Sequence, residues 1–189
     1  MLTGSIEWWN HIASVWEEKG DYRDRPDEYT MIASMLSGSV LEIGCGFGTF
    51  AKYLPEDCYY TGVDISVAMI SKAWTGNEGD ENKTFLVGDI RHMDWPSKFD
   101  FTVCMQTLEH FTDPDLVAVM ERIVSLTEKA LLFSVPREPK TAHLDHQQEW
   151  LTEDCLLATF SQWGKTTILP TPPEDKHWVG VIQFSEETK

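Results

Sequence analysis

Residues 39–48, Ser-Val-Leu-Glu-Ile-Gly-Cys-Gly-Phe-Gly, place an apolar strand directly before three alternating glycines, and an acid, Asp64, follows twenty positions after Gly44. A chain with this segment must turn sharply at the strand's end. Glycine has no Cβ, so a Gly44-x-Gly46-x-Gly48 turn brings backbone N–H groups against whatever lies above it, at the start of the next helix. An acid at the end of the following strand is placed to accept from a ribose diol. Together these features point to a nucleotide-cofactor site. The other readings are an ordinary strand-to-helix turn for the glycines and a helix cap or solvated acid for Asp64. Position 49 is Thr49, where the dinucleotide fingerprint G-x-G-x-x-G requires its third glycine.

Hydrophobic periodicity extends the pattern. Ile6, Trp9, Ile12, Ala13 and Trp16 recur at helical spacing, which predicts an amphipathic helix from Ile6 to Trp16, and a second helix is expected from Glu28 to Leu36. Strands near 39–43, 59–63, 84–87, 99–104 and 130–135 alternate with helices near 48–54, 66–74 and 114–128, which argues for a doubly wound parallel sheet. Asp113-Pro114 reads as an N-cap followed by a first-turn proline. Thr152 is expected to cap a helix running to Gln162. Strands at 165–169 and 177–184, separated by the turn-rich Pro170-Thr171-Pro172-Pro173, form a terminal hairpin, and the tail after Ser185 is read as frayed.

Glu42 stands two residues before the first glycine, so the segment reads acid-x-Gly-x-Gly-x-Gly. It resembles the first motif of the class I S-adenosylmethionine-dependent methyltransferases. The resemblance continues through Tyr59 to Ser66 as the second strand with its ribose-binding acid, Phe85 to Ile90 as the third with an acid that faces adenine, and Phe99 to Gln106 as the fourth. It covers residues 39 to about 135. It implies an α/β, Rossmann-like, doubly wound seven-stranded sheet, mostly parallel with an antiparallel terminal hairpin strand, and N-terminal helices as a lid. It also implies S-adenosyl-L-methionine as cofactor, bound by Glu42, Gly44, Cys45, Gly46, Phe47, Gly48, Asp64, Ile65, Asp89, Ile90 and Gln106. The donor carries a sulfonium and an ammonium but no phosphate, which suits acids at strand ends. Glu42 would act indirectly, by orienting the glycine loop. Trp8 and Tyr22 are lid candidates, whereas Trp9 and Trp16 share the helix's apolar face and suit packing.

At 189 residues the chain suits one domain, with 1–38 as helical lid and 39–189 as Rossmann-like core. The 31 acids against 15 basic residues, a formal net charge of −16, oppose broad association with nucleic acid or anionic membrane and favour a neutral or cationic small-molecule acceptor. Apolar runs such as Ala130 to Val135 are strand-length, and the N-terminus lacks a basic region followed by a hydrophobic stretch, so a soluble, cytoplasmic protein is expected. Cys45, Cys58, Cys104 and Cys155 are dispersed and read as reduced thiols without catalytic work.

Ligands of open α/β sheets sit outside the carboxyl ends of the strands. After the fourth strand comes Gln106-Thr107-Leu108-Glu109-His110, and after the fifth a loop with His143, Asp145, His146 and Glu149. These loops are expected to converge around the chemistry. Methyl transfer is an in-line displacement, needing a base only where the acceptor is protonated, and His110 and His146 are the candidate bases, with His143 third. Each can equally be a structural histidine. The leading reading is transfer to oxygen or nitrogen of a small-molecule or carrier- or glycan-linked acceptor, with no residue assigned to a metal. Gln106-x-x-Glu109-His110 with His146 also resembles the metal-holding loops of small-RNA 3′-terminal 2′-O-methyltransferases, with Gln106 where those enzymes have glutamate. That resemblance implies, as an alternative, divalent-metal-assisted methylation of an RNA 3′ end. A third reading is a non-catalytic member that binds cofactor or protein. Arg23, Arg25 and Arg137 are possible anchors for a substrate carboxylate or phosphate, with Arg137 best placed.

Overall fold

The computed structural model describes residues 4–19, 24–139, 141, 143, 145–172 and 175–185. Tyr22, Arg23, Pro173 and the tail from residue 186 lie outside the described residues. Seven strands, β1 (Ser39–Ile43), β2 (Tyr59–Asp64), β3 (Lys83–Val87), β4 (Phe99–Met105), β5 (Thr127–Pro136), β6 (Lys165–Ile168) and β7 (His177–Gln183), form one mixed sheet in the order β3-β2-β1-β4-β5-β7-β6. β1–β2, β2–β3 and β4–β5 pair in parallel, whereas β7 runs antiparallel to both β5 and β6. This is the expected α/β architecture with its terminal hairpin. The chain divides into two compact units, Met1–Met93 and Asp94–Lys189.

In the first unit, α1 (Ile6–Lys19) and α2 (Pro26–Ala33) precede β1, and α3 (Val67–Gly76) connects β2 to β3. α2 begins earlier than its apolar spacing suggests because Pro26 sits in the first turn, where its missing N–H is no loss. α1 buries the face the periodicity identifies: Trp9, Ile12, Ala13 and Trp16 pack against Phe47, Ala68 and Met69. α3 starts at Ser66, whose hydroxyl accepts from the Met69 N–H at 3.1 Å. The helix expected at 48–54 is instead a single 3-10 turn, Phe50–Tyr53. Pro55 explains the correction, since the residue before a proline is pushed out of the helical region, and Leu54 stands at φ −69°, ψ 145°.

In the second unit, α4 (Asp113–Leu126) links the parallel pair β4 and β5, and α5 (Glu153–Phe160) precedes the hairpin. The N-cap of α4 is Thr112 rather than Asp113, which lies in the first turn; the Thr112 hydroxyl donates to Asp115 at 2.7 Å. Thr152 caps α5 as expected, accepting from the Cys155 N–H at 3.3 Å. β5 is buried from Ala130 to Pro136, as a strand paired on both edges and covered on both faces should be. Leu131, Leu132 and Phe133 are each essentially inaccessible, and burying such side chains contributes about 1.5–3 kcal/mol apiece. This rigid strand fixes the loop that follows it.

Candidate active site

The first unit gathers the glycine turn and its acids. Gly44 and Cys45 donate N–H bonds to the Val63 carbonyl at 2.8 and 3.1 Å, which ties the start of the turn to the neighbouring strand. Asp64 then fixes the turn's apex: its Oδ2 accepts from the Gly46 N–H at 3.0 Å and its Oδ1 from the Ser66 N–H at 2.8 Å. Burial pushes Asp64 up to about 6, against these two N–H bonds, which pull it down. It is therefore mainly ionised at neutral pH. A carboxylate has lone pairs beyond those two bonds, so it can still accept from hydroxyl groups.

Glu42 lies beneath the turn, buried, and accepts a short hydrogen bond from the Tyr60 hydroxyl. Burial pushes it up to about 8; the Tyr60 bond opposes the rise and the Asp64 charge adds to it. Burial thus favours the protonated form of Glu42. Cys45, also buried, has its thiol pushed well up by burial, which leaves no thiolate for chemistry. Phe47 projects onto α1, with its ring 6.2 Å from that of Trp16 in an edge-on contact. Gly48 donates to the Cys45 carbonyl at 2.9 Å, and its own carbonyl accepts from the buried Asn77 amide at 3.3 Å.

Asp89 caps the 3-10 turn Ile90–His92 and grips the Arg91 guanidinium through both oxygens, at 2.6 Å to Nη2 and 2.9 and 3.1 Å to Nε. The Arg91 bonds hold its carboxyl below the usual range. Ile90 is buried and Ile65 half-buried. Trp8 is half-buried, and its indole N–H has no hydrogen-bond partner among the described residues.

The second unit brings the post-β4 and post-β5 loops together, as their positions after neighbouring strands predict. The Glu109 carbonyl accepts from the Gln147 and Gln148 N–H groups at 2.7 and 3.1 Å, and the Gln148 amide reaches the Phe111 carbonyl at 2.8 Å. Gln106 opens the first loop at φ 52°, the single non-glycine residue with positive φ among the described residues. Its N–H donates to the Ser134 carbonyl at 2.9 Å and its amide to the Ser134 hydroxyl at 3.0 Å. A strained backbone held by two bonds marks a position fixed by its surroundings.

The histidines converge. His110 Nδ1 lies 3.3 Å from both the carbonyl and the carboxylate of Asp145, and its Nε2 lies 3.9 Å from Glu109. The His110 and His146 ring centroids are 5.2 Å apart, and those of His146 and His143 are 4.5 Å apart. Ligand atoms of Glu109, His110 and His146 all lie within 4.8 Å of one another. Asp145 as the partner of His110, Tyr60 as the partner of Glu42, and the Ser66 turn were not singled out by sequence. Only an acid next to a candidate base, Asp145-His146, carries a local signal.

Residues 40–130 match the family model for a methyltransferase domain. Among curated relatives, a ubiquinone biosynthesis O-methyltransferase of Dechloromonas aromatica is 27% identical over 124 residues, 62% of this chain and 53% of that protein. The chain spans about half the length of most of the curated relatives it matches. Among solved structures, the DhpI complex with S-adenosylhomocysteine superposes with a TM-score of 0.75 at 17% identity, covering 96% of this chain and 95% of that one. The N-methyltransferase NodS of Bradyrhizobium japonicum WM9, in complex with S-adenosylhomocysteine, gives 0.67 at 17% identity over 87% and 92%. At such identities the superpositions speak for the fold.

Proposed function

We propose that this chain is a class I S-adenosylmethionine-dependent methyltransferase that transfers the donor methyl to a hydroxyl oxygen of a small-molecule acceptor, with His110 as the base. The observation that carries the proposal is the His110–Asp145 contact. An Nδ1–H held by Asp145 leaves Nε2 as the proton acceptor, and a neighbouring carboxylate stabilises the imidazolium that forms. As the oxygen attacks, its bond to the methyl carbon forms, the carbon–sulfur bond breaks with its electron pair going to sulfur, and the hydroxyl proton passes to His110. On this reading the Gly44–Gly48 turn cradles the methionine part of the donor, Asp64 accepts from its ribose, and Asp89 and Ile90 border adenine. The curated relatives, named O-methyltransferases, support oxygen over nitrogen. Among the described residues no helix is long and apolar enough to cross a membrane, and a cytoplasmic setting is part of the proposal.

A second reading, metal-assisted methylation of an RNA 3′-terminal ribose, is favoured by the proximity of Glu109, His110 and His146. One carboxylate and two imidazoles suit manganese or zinc better than magnesium. A bound ion there would acidify a coordinated hydroxyl. The net charge of −16 weighs against an RNA acceptor.

One set of variants separates these readings. His110→Ala is expected to lower turnover of small hydroxylated acceptors by about 10²–10⁴-fold with S-adenosylhomocysteine affinity kept. Retained turnover sinks the base. Calorimetric titration with manganese alone, on the wild type and His146→Ala, reads the metal: heat lost in the variant favours the second reading, and no heat in either excludes it.

A further inference from the structure

In a chain with 31 acids and 15 lysines and arginines, an arginine that faces no carboxylate stands out. Arg137 follows the last residue of β5, and its N–H donates to the Lys176 carbonyl at 2.7 Å. Its half-buried guanidinium lies over the Trp178 ring, 4.0 Å from the centroid. Trp178 is itself fixed, buried with its indole N–H donating to the Trp150 carbonyl at 2.7 Å. The acids around Arg137 are engaged elsewhere. Glu138 pairs with Lys176 at 2.8 Å and His143 at 3.5 Å, and Asp175 with the ring and N–H of His177, both at 3.0 Å. Among the described residues, the Arg137 guanidinium has no hydrogen-bond or ion-pair partner.

Such an arrangement is a built receptor for an anion. Lying over the Trp178 ring restricts the guanidinium, while the N–H groups that point away from the ring remain for a planar oxyanion. Arg137 also shares its loop with His143 and His146: Glu138 lies 3.5 Å from His143, whose ring is 4.5 Å from that of His146, which in turn is 5.2 Å from that of His110. We propose that Arg137 anchors a carboxylate of the methyl acceptor. The identity of the anion as part of the acceptor rests on the methyl-transfer reading; the anion site itself does not. A carboxylate is favoured over phosphate because one cation meets one negative charge, and the neighbouring Glu138 and Asp175 repel a dianion more strongly.

The test titrates benzoate, the neutral isostere benzamide, and phenyl phosphate into the ¹⁵N-labelled full chain, following the Arg137 Nε–H and Trp178 indole resonances, with and without S-adenosylhomocysteine. Benzoate is expected to give saturable shifts at both resonances and to bind at least about tenfold more tightly than benzamide, with phenyl phosphate weaker than benzoate. Arg137→Gln should abolish the preference for benzoate, and Arg137→Lys should keep only part of it, since the ammonium lacks the planar fork. Unchanged S-adenosylhomocysteine affinity in both variants verifies the fold. Equal binding of benzoate and benzamide, or a preference that survives Arg137→Gln, overturns the proposal, and phenyl phosphate binding tightest overturns its carboxylate form. If benzoate is preferred while S-adenosylhomocysteine binds no form of the protein, the anion site stands and the methyl-transfer reading falls.

Discussion

Gly46 and Gly48 both hold φ in the left-handed region, at +51° and +67°, but different surroundings hold them there. A Cβ at Gly48 would lie 2.6 Å from a Phe85 ring carbon and 3.0 Å from the Asn77 amide, against a buried Phe85 ring that also meets Tyr60 and Trp74 edge-on. A Cβ at Gly46 meets nothing within 4 Å among the described residues. Gly48 is thus required by packing, whereas Gly46 is open above, as a ligand cradle must be. Gly46→Ala should cost about 1–2 kcal/mol of stability from its backbone alone and weaken S-adenosylhomocysteine binding by more than about tenfold. Gly48→Ala should cost more, about 3–5 kcal/mol, because ring displacement adds to the strain. Urea unfolding and calorimetry decide both: full affinity in Gly46→Ala would remove the turn from the cofactor site, and equal costs at the two positions would refute the packing account.

At the scale of elements, α1 is pinned to the turn after β2 by one side chain. The Asn10 carbonyl oxygen accepts from the Ser66 hydroxyl at 2.7 Å and the Ala68 N–H at 3.2 Å, while Ser66 caps α3. Asn10→Ala leaves both donors without that acceptor at a partly buried site, a cost of about 1–3 kcal/mol. Amide exchange in α1 is expected to quicken while β5 stays protected; unchanged exchange in α1 would mean that its apolar face and the Lys72–Glu17 ion pair hold the helix without Asn10. The contrast marks what sequence carries. The strands, the amphipathic face of α1, the glycine turn and the Thr152 cap were legible because each is a local pattern of polarity, spacing or cap chemistry. The Asn10–Ser66 tie spans 56 residues, and the Tyr60–Glu42 bond depends on β1–β2 register, which sets Gly62 opposite Glu42. A Cβ at Gly62 would meet the Tyr60 hydroxyl at 2.6 Å, so its absence makes room for that bond. No local pattern announces either contact. The turn at Phe50–Tyr53 was misread for the opposite reason, since a local proline signal was outweighed by apolar spacing.

For the whole molecule, buried Glu42 and the half-buried Asp64 set how stability responds to pH. Glu42 moves from an ordinary 4.5 to about 8 on folding, and Asp64 from 3.8 to about 6, each raised chiefly by burial. Between the ordinary and the folded value the native state holds a proton that the unfolded chain has lost, so stability falls as pH rises, by at most about 1.4 kcal/mol per pH unit for each group. The Asp64 window closes near pH 6 and the Glu42 window near pH 8. Asp80, Asp89 and Glu138, held low chiefly by Lys83, Arg91 and Lys176, act oppositely, but only on acidification through the ordinary carboxylate range and below. The melting temperature is therefore expected to be higher at pH 5.5 than at pH 8. The formal charge of −16 gives the same trend by self-repulsion, since acidification relieves it. Salt separates the two: at 0.5 M it screens repulsion between exposed charges over distances beyond a few ångströms, but it barely reaches a buried carboxyl. Glu42→Gln keeps the acceptor for Tyr60 and cannot ionise, so in 0.5 M salt it should flatten the melting profile between pH 6 and 8 and be more stable than the wild type at pH 8. A variant whose profile runs parallel to the wild type there would show that Glu42 is already ionised beneath the glycine turn.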